Sequence, residues 1–315
     1  MVLKTSTIAS TLISSGEIPF TPLHTSKPAK TWYKIIGSTT NSPSPALILC
    51  HGGPGAGHEC LGALSDLYDQ FRIPIVFYDQ IGCGKSTHFR DKMGDDEFWS
   101  IEQYWAELDN LVDFLELRER GFYLLGQSWG GMVVGSYAAR QPPGLRKVII
   151  SSGPASGALY LESANMLLAK LPEDIRKTLE DCIERGDHES EEYQKAGLEF
   201  VKRHVCRLDP FPEDVQKAFK NLDEDPTSYM TVQGPSEFQI VGWLKDWDAS
   251  TEAHRITVPV LLINGKYDEM QDLTMEPWFK RIRQVKWITL DNSSHLGQYE
   301  ERERYMEICG TFLGY

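Results

Sequence analysis

The stretch FYLLGQSWGGMVVG, residues 122–135, decides the fold because it joins an apolar, β-rich run to a helix-forming run through one tight turn. Its centre, GQSWG, matches G-x-S-x-G with Ser128 in the middle. Between a strand and a helix, such a turn is strained at the serine, and the flanking glycines avoid clashes. The pattern predicts that Ser128 Oγ stands at a strand end above a helix start, as a nucleophile must. The alternative is a glycine-rich turn with an idle serine.

Short apolar runs on either side of this stretch predict the rest of the sheet. They are rich in β-branched and aromatic residues and apolar on both faces, which is typical of interior strands in a mostly parallel sheet. Helical patterns separate them, and this alternation indicates an α/β fold with right-handed crossovers. The predicted strands are 45–50, 74–79, 122–126, 147–152, 259–264 and 286–290.

The clearest helical pattern begins after Ser100, where apolar residues recur at the spacing of one helix face. Ser100 and Gln103 fit the S-x-x-Q pattern of a capping box, in which each side chain bonds to the other residue's backbone N–H. We therefore predict a capped helix from residue 101.

The alternation of strands and helices stops between about residue 154 and residue 253. This interval is rich in charged residues and helix formers and contains no convincing interior strand, whereas strand character resumes at Val258. We interpret 154–253 as a helical cap domain inserted into a core domain formed by 1–153 and 254–315.

The loop HGGPG, residues 51–55, follows the predicted strand that ends at Cys50. Consecutive glycines let backbone N–H groups turn toward a ligand without steric cost. In lipase-type enzymes an HGG loop at this place supplies one oxyanion donor, and the residue after the nucleophile supplies the other. The N–H groups of Gly53 and Trp129 are therefore the predicted oxyanion hole, with a purely structural turn as the alternative.

A serine nucleophile on such a turn needs a base and an orienting acid, which follow it in the chain order Ser, Asp or Glu, His. His295, in DNSSHLG, follows a late strand as a loop-borne base should. Asp268, in NGKYDEM, comes just past the run 259–264, where a strand end would present it to that histidine. Six other histidines are interpreted as structural, loop or surface residues that form no metal site: His51, His58, His88, His188, His204 and His254.

Nucleotides and polyanionic partners are not expected. The stretch DQIGCGKS, residues 79–86, ends like a phosphate-binding loop, but Asp79 stands where the first glycine of that motif is required. The chain has 45 acidic and 32 basic residues, a formal charge of -13, which repels nucleic acids and anionic lipid surfaces.

Together, HGGPG, DQIGCGKS, GQSWGG, GPSEF followed by LKDWD, and YDE with SSH closely resemble the motifs of the proline iminopeptidase family of α/β-hydrolases. The resemblance runs from about residue 45 to the C-terminus. It implies an α/β-hydrolase fold, with a mostly parallel central sheet flanked by helices and an inserted helical cap. It also implies a serine peptidase that removes an N-terminal residue, often proline, from short peptides, or acts on amino-acid amides and aryl amides, with Ser128, Asp268 and His295 as the catalytic triad.

The family recognises the free amine of its substrate with two glutamates, and its motifs map these onto Glu237 and Glu269. An ammonium group that enters a cleft loses its hydration, which charge-assisted bonds to carboxylates can replace. Two close carboxylates repel when the site is empty, so at least one should have a raised pKa. The alternative is that both are ordinary exposed acids. Four cap residues are candidate pocket walls: Leu159, Tyr160, Phe238 and Trp243.

Composition is that of a globular intracellular protein. At 315 residues and 41% hydrophobic content, the chain can bury a sizeable core. The six cysteines are scattered singly, so we expect reduced thiols, no metal site and no cofactor. The first 20 residues lack the apolar run of a signal peptide, and no later run approaches the length of a membrane span, which predicts a cytoplasmic location.

Two alternatives to an aminopeptidase stay open on the sequence alone. One is an esterase, amidase or acyltransferase that acts on a specialised amino-acid derivative. The other is a ligand-binding protein on a hydrolase scaffold. Epoxide hydrolases and haloalkane dehalogenases share the fold but need an aspartate at the place of Ser128, so they are excluded. The expected partner is a small molecule or short peptide with a free N-terminal amine.

Overall fold

The computed structural model describes residues 12–315. Residues 1–11 lie outside it; they belong to the predicted core segment and to the N-terminal stretch that was tested for a signal peptide. Eight strands within residues 12–315 form one sheet. They are β1 (Ile13–Phe20), β2 (Ala29–Ile36), β3 (Ala46–Cys50), β4 (Ile75–Tyr78), β5 (Phe122–Gln127), β6 (Leu145–Ser151), β7 (Val260–Gly265) and β8 (Val285–Leu290).

The sheet has the order β1-β2-β4-β3-β5-β6-β7-β8. The six strands β3 to β8 pair in parallel and correspond to the six predicted apolar runs. The prediction of an interior strand was wrong for β8, which lies at the sheet edge with only Leu290 buried. Every residue of β3, β4, β5 and β7 is buried, because helices cover both faces of the sheet. The predicted mostly parallel α/β fold is therefore confirmed.

The antiparallel strands β1 and β2 were not predicted. β1 pairs with β2, and β2 pairs with β4 at the edge of the parallel sheet. Most of β1 is exposed or half-buried, so its sequence mixes polar and apolar residues and lacks the continuous apolar run of an interior strand.

Twelve α-helices accompany the sheet within residues 12–315, and none of them has both the length and the apolar character that a bilayer span requires. Along β3, Ile48 joins one hydrophobic cluster, whereas Leu47 and Leu49 join the cluster on the opposite face. The helices are α1 (Asp66–Phe71), α2 (Ile101–Phe114), α3 (Leu117–Arg120), α4 (Trp129–Ala139), α5 (Gly157–Leu168), α6 (Glu173–Arg185), α7 (Glu191–His204), α8 (Glu213–Glu224), α9 (Thr227–Val232), α10 (Asp272–Arg281), α11 (Gly297–Glu300) and α12 (Arg302–Leu313).

The interval 154–253 contains the helices α5 to α9 and none of the eight strands. Ser156 and Asp248, near its two ends, form an isolated antiparallel β-bridge. The two ends of this segment therefore lie next to each other where they connect to the α/β layers. Its division into a separate cap domain stays a prediction.

The capping box at the start of α2 was predicted wrongly, although the helix itself begins at the expected residue. Ser100 occupies the N-cap position, but its side chain makes no capping hydrogen bond. The Gln103 side chain instead accepts a hydrogen bond from the Leu23 backbone N–H at 2.6 Å. The Leu23 N–H, which is distant in sequence, therefore occupies the Gln103 side-chain oxygen that a capping box would direct to the Ser100 N–H.

A buried carboxylate on α2 fixes the loop 79–86. Glu107 accepts hydrogen bonds from Thr31 Oγ1 at 2.5 Å and from the Ile81 backbone N–H at 3.0 Å. Burial raises the pKa of Glu107 to about 8, although these two bonds oppose the shift. The side chain therefore holds β2 and this loop together, and it binds a proton that an exposed glutamate would lose.

The raised pKa of Glu107 predicts a pH-dependent stability. Between its ordinary pKa of 4.5 and about 8, the folded protein holds a proton that the unfolded chain has lost, so the free energy of unfolding falls as pH rises through this range. Glu107→Gln removes the titrating group. In urea unfolding curves, the free energy of unfolding of the wild type minus that of Glu107→Gln should decrease from pH 5 to pH 8.

The matched control is Glu102→Gln, which changes an exposed glutamate on the same helix and should follow the wild type at every pH. A difference between wild type and Glu107→Gln that stays constant from pH 5 to pH 8 would contradict the assignment.

Candidate active site

Ser128 lies in the turn between β5 and α4, as the motif predicts. Its backbone has φ 57° and ψ -122°, a strained conformation for a residue other than glycine. The turn is tight: a Cβ atom on Gly126 would lie 2.0 Å from the Gly130 carbonyl oxygen, and one on Gly130 would lie 2.0 Å from the Cys50 carbonyl oxygen. Both glycines of the motif are therefore required, and Ser128 stands half-buried at a strand end.

Ser128 opens onto a cavity of about 140 Å³ between the sheet and the helices of 154–253. The cavity wall includes the predicted site residues Gly53, Ser128, Trp129, Glu237, Glu269 and His295. Six of the seven predicted site residues therefore border one space, and the seventh, Asp268, lies directly behind His295.

Of the four candidate wall residues, only Tyr160 lines the cavity. The Phe238 ring packs edge-on against Phe200, with a centroid distance of 4.8 Å. The Trp243 ring packs against Trp129 at 6.0 Å. Trp243 therefore supports the wall from behind Trp129, whereas Phe238 and Leu159 do not line the cavity.

Asp268 and His295 form a close pair. The His295 Nδ1 to Asp268 Oδ1 distance is 2.7 Å, and both side chains are buried. The same Asp268 oxygen accepts the Met270 backbone N–H at 2.8 Å, and its second oxygen accepts the Gly265 N–H at 3.3 Å. The carboxylate is thus held by its own loop, and it leaves His295 Nε2 as the ring nitrogen that faces the cavity.

His295 Nε2 faces a second carboxylate, at 3.6 Å from Glu269 Oε1. The side-chain hydrogen bonds within residues 12–315 include none between Ser128 and His295. Catalytic hydrogen bonds are often long in an empty site and shorten when substrate binds. Among the described residues, the acidic group within salt-bridge distance of Nε2 is therefore Glu269.

Glu237 approaches the same cavity from the segment after α9. Its carboxylate accepts hydrogen bonds from Tyr229 Oη at 2.5 Å and from Gln233 Nε2 at 2.9 Å. The Gln233 amide also donates to Tyr160 Oη at 3.0 Å. By contrast, Glu269 Oε2 is buried and has no hydrogen-bond partner among the described residues. The Glu237 carboxylate is thus hydrogen-bonded to neutral donors, whereas the Glu269 carboxylate has one oxygen without a partner.

Burial and mutual repulsion shift the pKa values of these groups. Desolvation raises the pKa of Glu237 well above its usual range, and the Glu269 charge adds to this effect. Burial raises the pKa of Glu269 to about 7, although the His295 charge opposes it. Burial alone would lower the pKa of His295, but the charges of Asp268 and Glu269 outweigh it and raise the pKa to about 9. These shifts favour the protonated forms of Glu237 and His295 near neutral pH.

The predicted oxyanion donors lie on two adjacent loops. Gly53 has φ 107°, and a Cβ atom there would lie 2.5 Å from the Gly55 nitrogen, so the position requires glycine. Trp129 is the first residue of α4, where backbone N–H groups lack helical partners and the helix dipole favours negative charge. Both residues line the cavity beside Ser128.

Gln80 links these two loops, a role that sequence reasoning missed. Its Oε1 accepts the Trp129 indole N–H at 3.0 Å, and its Nε2 donates to the His51 carbonyl at 3.1 Å. Its backbone N–H donates to His51 Nε2 at 3.0 Å. The stretch DQIGCGKS, rejected as a phosphate loop, thus connects the HGGPG loop to the residue after Ser128.

His204, the last residue of α7, links the loops that carry the acid and the base. Its carbonyl accepts the Glu269 N–H at 3.1 Å and the His295 N–H at 3.3 Å, and terminal helix carbonyls are free to do so because they lack intrahelical partners. The His204 Nδ1 atom bonds to the Tyr267 carbonyl at 2.8 Å. These contacts of the half-buried His204 were not predicted, because no sequence pattern signals them.

Comparison with known proteins shows what the whole chain is similar to. The family model described as the alpha/beta hydrolase fold matches residues 45–302. The chain is 34% identical over 286 residues to the proline iminopeptidase of Saccharolobus solfataricus. The aligned part covers 89% of this chain and 87% of that protein.

Two solved structures are also similar over nearly the whole chain. The proline iminopeptidase of Mycobacterium smegmatis is 34% identical, with a TM-score of 0.86 over 95% of this chain and 97% of that chain. VinJ is 37% identical, with a TM-score of 0.90 over 95% of this chain and 98% of that chain.

The contacts of His204 predict that its side chain positions the acid and base loops. His204→Ala removes the bond to the Tyr267 carbonyl, so Ser128 should be labelled about tenfold more slowly by a neutral serine-reactive phosphonate, as expected for about 1.4 kcal/mol. His204→Asn, which keeps a donor, should recover part of the rate, and the melting temperature should change little.

The matched control is His254→Ala, because His254 Nδ1 also bonds a backbone carbonyl, that of Thr251, at 2.8 Å but lies outside the cavity. Wild-type labelling in His204→Ala, or an equal loss in His254→Ala, would contradict the positioning role.

Proposed function

Because the chain belongs to the proline iminopeptidase family of α/β-hydrolases, we propose that it acts as a serine aminopeptidase through an acyl-enzyme on Ser128. It is an aminopeptidase by family, with small peptides as substrates. The proposal adds that it releases an N-terminal residue, proline being the first to test, from short peptides or amino-acid amides. The observation that carries the proposal is the position of Glu237 and Glu269 beside His295 in the cavity that Ser128 opens onto.

The two glutamates suit an amine. Glu269 Oε2 is buried and has no hydrogen-bond partner among the described residues, and a buried carboxylate oxygen without a donor or a cation is unfavourable. An N-terminal ammonium supplies both charge and N–H donors. It would lie between Glu269 and Glu237, within two bonds of the carbonyl carbon that the nucleophile attacks.

The reaction follows from the positions of the remaining groups. His295 Nε2 takes the proton of Ser128 Oγ, the oxygen attacks the carbonyl carbon next to the recognised amine, and a tetrahedral oxyanion forms. The N–H groups of Gly53 and Trp129 stabilise this oxyanion; loss of one such donor typically costs about 3 kcal/mol. The proton on His295 then passes to the leaving nitrogen, and water activated by the same histidine releases the acyl group.

Asp268 holds His295 in the tautomer that leaves Nε2 free to act. Its carboxylate also stabilises the imidazolium that forms during proton transfer. The 2.7 Å contact with Nδ1 and the two backbone N–H bonds that fix the carboxylate support this role.

Amine binding also prepares the base. Before an amine binds, the charges of Asp268 and Glu269 raise the pKa of His295 to about 9, so the imidazole is mostly cationic at neutral pH. An ammonium that pairs with Glu269 offsets one of these charges and lowers the pKa of His295. A substrate without a free amine neither bonds to the carboxylates nor lowers the pKa of His295. The same feature disfavours an esterase or amidase for blocked substrates, which would not need two carboxylates here.

The proposal predicts selectivity for a free amine. The wild type should cleave an aminoacyl arylamide, prolyl arylamide included, with a much higher kcat/KM than its N-acetylated counterpart. Glu237→Gln should lower kcat/KM for the free substrate by about ten- to hundredfold, the equivalent of one charge-assisted hydrogen bond, and leave the acetylated substrate unchanged. Equal cleavage of free and acetylated substrates by the wild type would contradict the amine site. Ser128→Ala should abolish both activities.

The pKa of His295 gives a second prediction. His295 must be neutral to accept the Ser128 proton, so phosphonate labelling of Ser128 should rise with pH toward the His295 pKa of about 9. Glu269→Gln removes a negative charge that raises this pKa. The pH range over which the labelling rate rises, called the rising limb, should therefore move about one unit or more to lower pH.

The control for charge is Glu276→Gln, at an exposed position on α10, which should leave the rising limb in place. A limb that stays fixed or moves to higher pH in Glu269→Gln would show that Glu269 does not act on His295.

A further inference from the structure

One wall of the cavity consists only of hydrocarbon side chains. The helices α7 and α8, with the residue that follows α7, contribute Val201, Val205, Val215, Ala218, Phe219 and Leu222. The polar and charged lining residues, by contrast, come from the catalytic loops and from the α5 and α9 side of the cavity. The proposed function uses only that polar end.

The apolar wall on α8 is one face of an amphipathic helix. Residues 215, 218, 219 and 222 recur at i, i+3, i+4 and i+7, which places them on one side of the helix. Val215 and Ala218 are buried, whereas Phe219 and Leu222 are only half-buried. Part of this apolar face therefore remains open to the cavity, where a ligand can cover it.

The wall extends between the two loops that flank Ser128. Val215 packs against Leu296, the residue next to His295. At the other end, Leu222 reaches the HGGPG loop, because a Cβ atom on Gly55 would lie 3.3 Å from Leu222 Cδ2. Any group that leaves the acyl carbon near His295 thus meets this wall.

Chemistry decides which half of the substrate meets it. When the tetrahedral adduct collapses, the bond between carbon and nitrogen breaks, its electron pair stays on nitrogen, and that nitrogen takes the proton from His295 Nε2. The leaving nitrogen must therefore lie on the His295 side, whereas the α-amine of the acyl half lies at Glu237 and Glu269. The second half of the substrate is then the part next to Leu296 and α8.

We propose that Val215, Phe219 and Leu222 of α8, with Val201 and Val205, form a leaving-group site for neutral, apolar amines. The inference rests on the proposed function and specifies the second half of its substrate. An aliphatic or aromatic side chain there would lose water against hydrocarbon, which is favourable. A charged side chain would lose its hydration without any partner on this wall.

The test measures kcat/KM for two series of substrates, because this constant reports every step through departure of the leaving group. The first series keeps the best N-terminal residue and varies the amine that leaves: leucinamide, glycinamide, lysinamide and asparaginamide. We expect leucinamide to exceed glycinamide by about tenfold or more, with the lysine derivative lower still. The second series keeps leucinamide and varies the N-terminal residue.

Leu222→Asn should reduce the preference for leucinamide over glycinamide at least threefold and leave the N-terminal preferences of the second series unchanged. Phe219→Ser is a second variant with the same expectation if Leu222→Asn does not fold. Leu198→Asn is the matched control, because Leu198 is an exposed leucine on α7 that does not line the cavity.

Equal kcat/KM values for leucinamide and lysinamide in the wild type would overturn the leaving-group site. A change of N-terminal preference in Leu222→Asn would also overturn it, since the wall would then hold the acyl half. Both results leave the proposed function standing if free-amine substrates are still cleaved in a Ser128-dependent manner. Absence of any such cleavage would instead overturn the proposed function itself.

Discussion

The site depends on negative charge placed where water cannot solvate it. Asp268 and Glu269 are buried beside one imidazole, and Glu237 reaches the same cavity. Among the described residues, His295 is the only ionisable cation paired with either Asp268 or Glu269, and Glu237 has only neutral donors. Such a cluster is stable only if it retains protons or receives a cation. We infer that the cluster retains protons until the substrate amine brings a cation.

The architecture of the chain follows from the need to bring this cluster together. Strand ends of the parallel sheet carry Ser128 and the loops of Asp268 and His295, whereas Glu237 belongs to the segment after α9. Backbone contacts join these parts: the His204 carbonyl accepts N–H groups from the loops of both the acid and the base. Because that carbonyl ends a helix of the 154–253 interval, the helices that form the cavity roof also position the catalytic loops.

Sequence reasoning identified the features that depend on local chemistry. The G-x-S-x-G turn, the HGGPG loop and the interior parallel strands have strong local patterns, because glycine contacts and continuous burial restrict the residue types allowed. The resemblance to a family located Glu237 and Glu269, which composition alone could not distinguish from other acids. Gln80 and His204 were missed because their roles depend on hydrogen-bond partners distant in sequence. The capping box failed for the same reason, since Leu23 competes for the Gln103 side chain.

The central claim is that an ammonium enters the carboxylate cluster and displaces its protons. Calorimetric binding of prolinamide to Ser128→Ala, repeated at pH 7 in buffers of different ionisation enthalpy, counts the protons exchanged. The account predicts that protons are released on binding and that Ser128→Ala combined with Glu237→Gln and Glu269→Gln releases clearly fewer. Binding without proton release, or equal release in both proteins, would contradict the account, because the amine would then lie elsewhere.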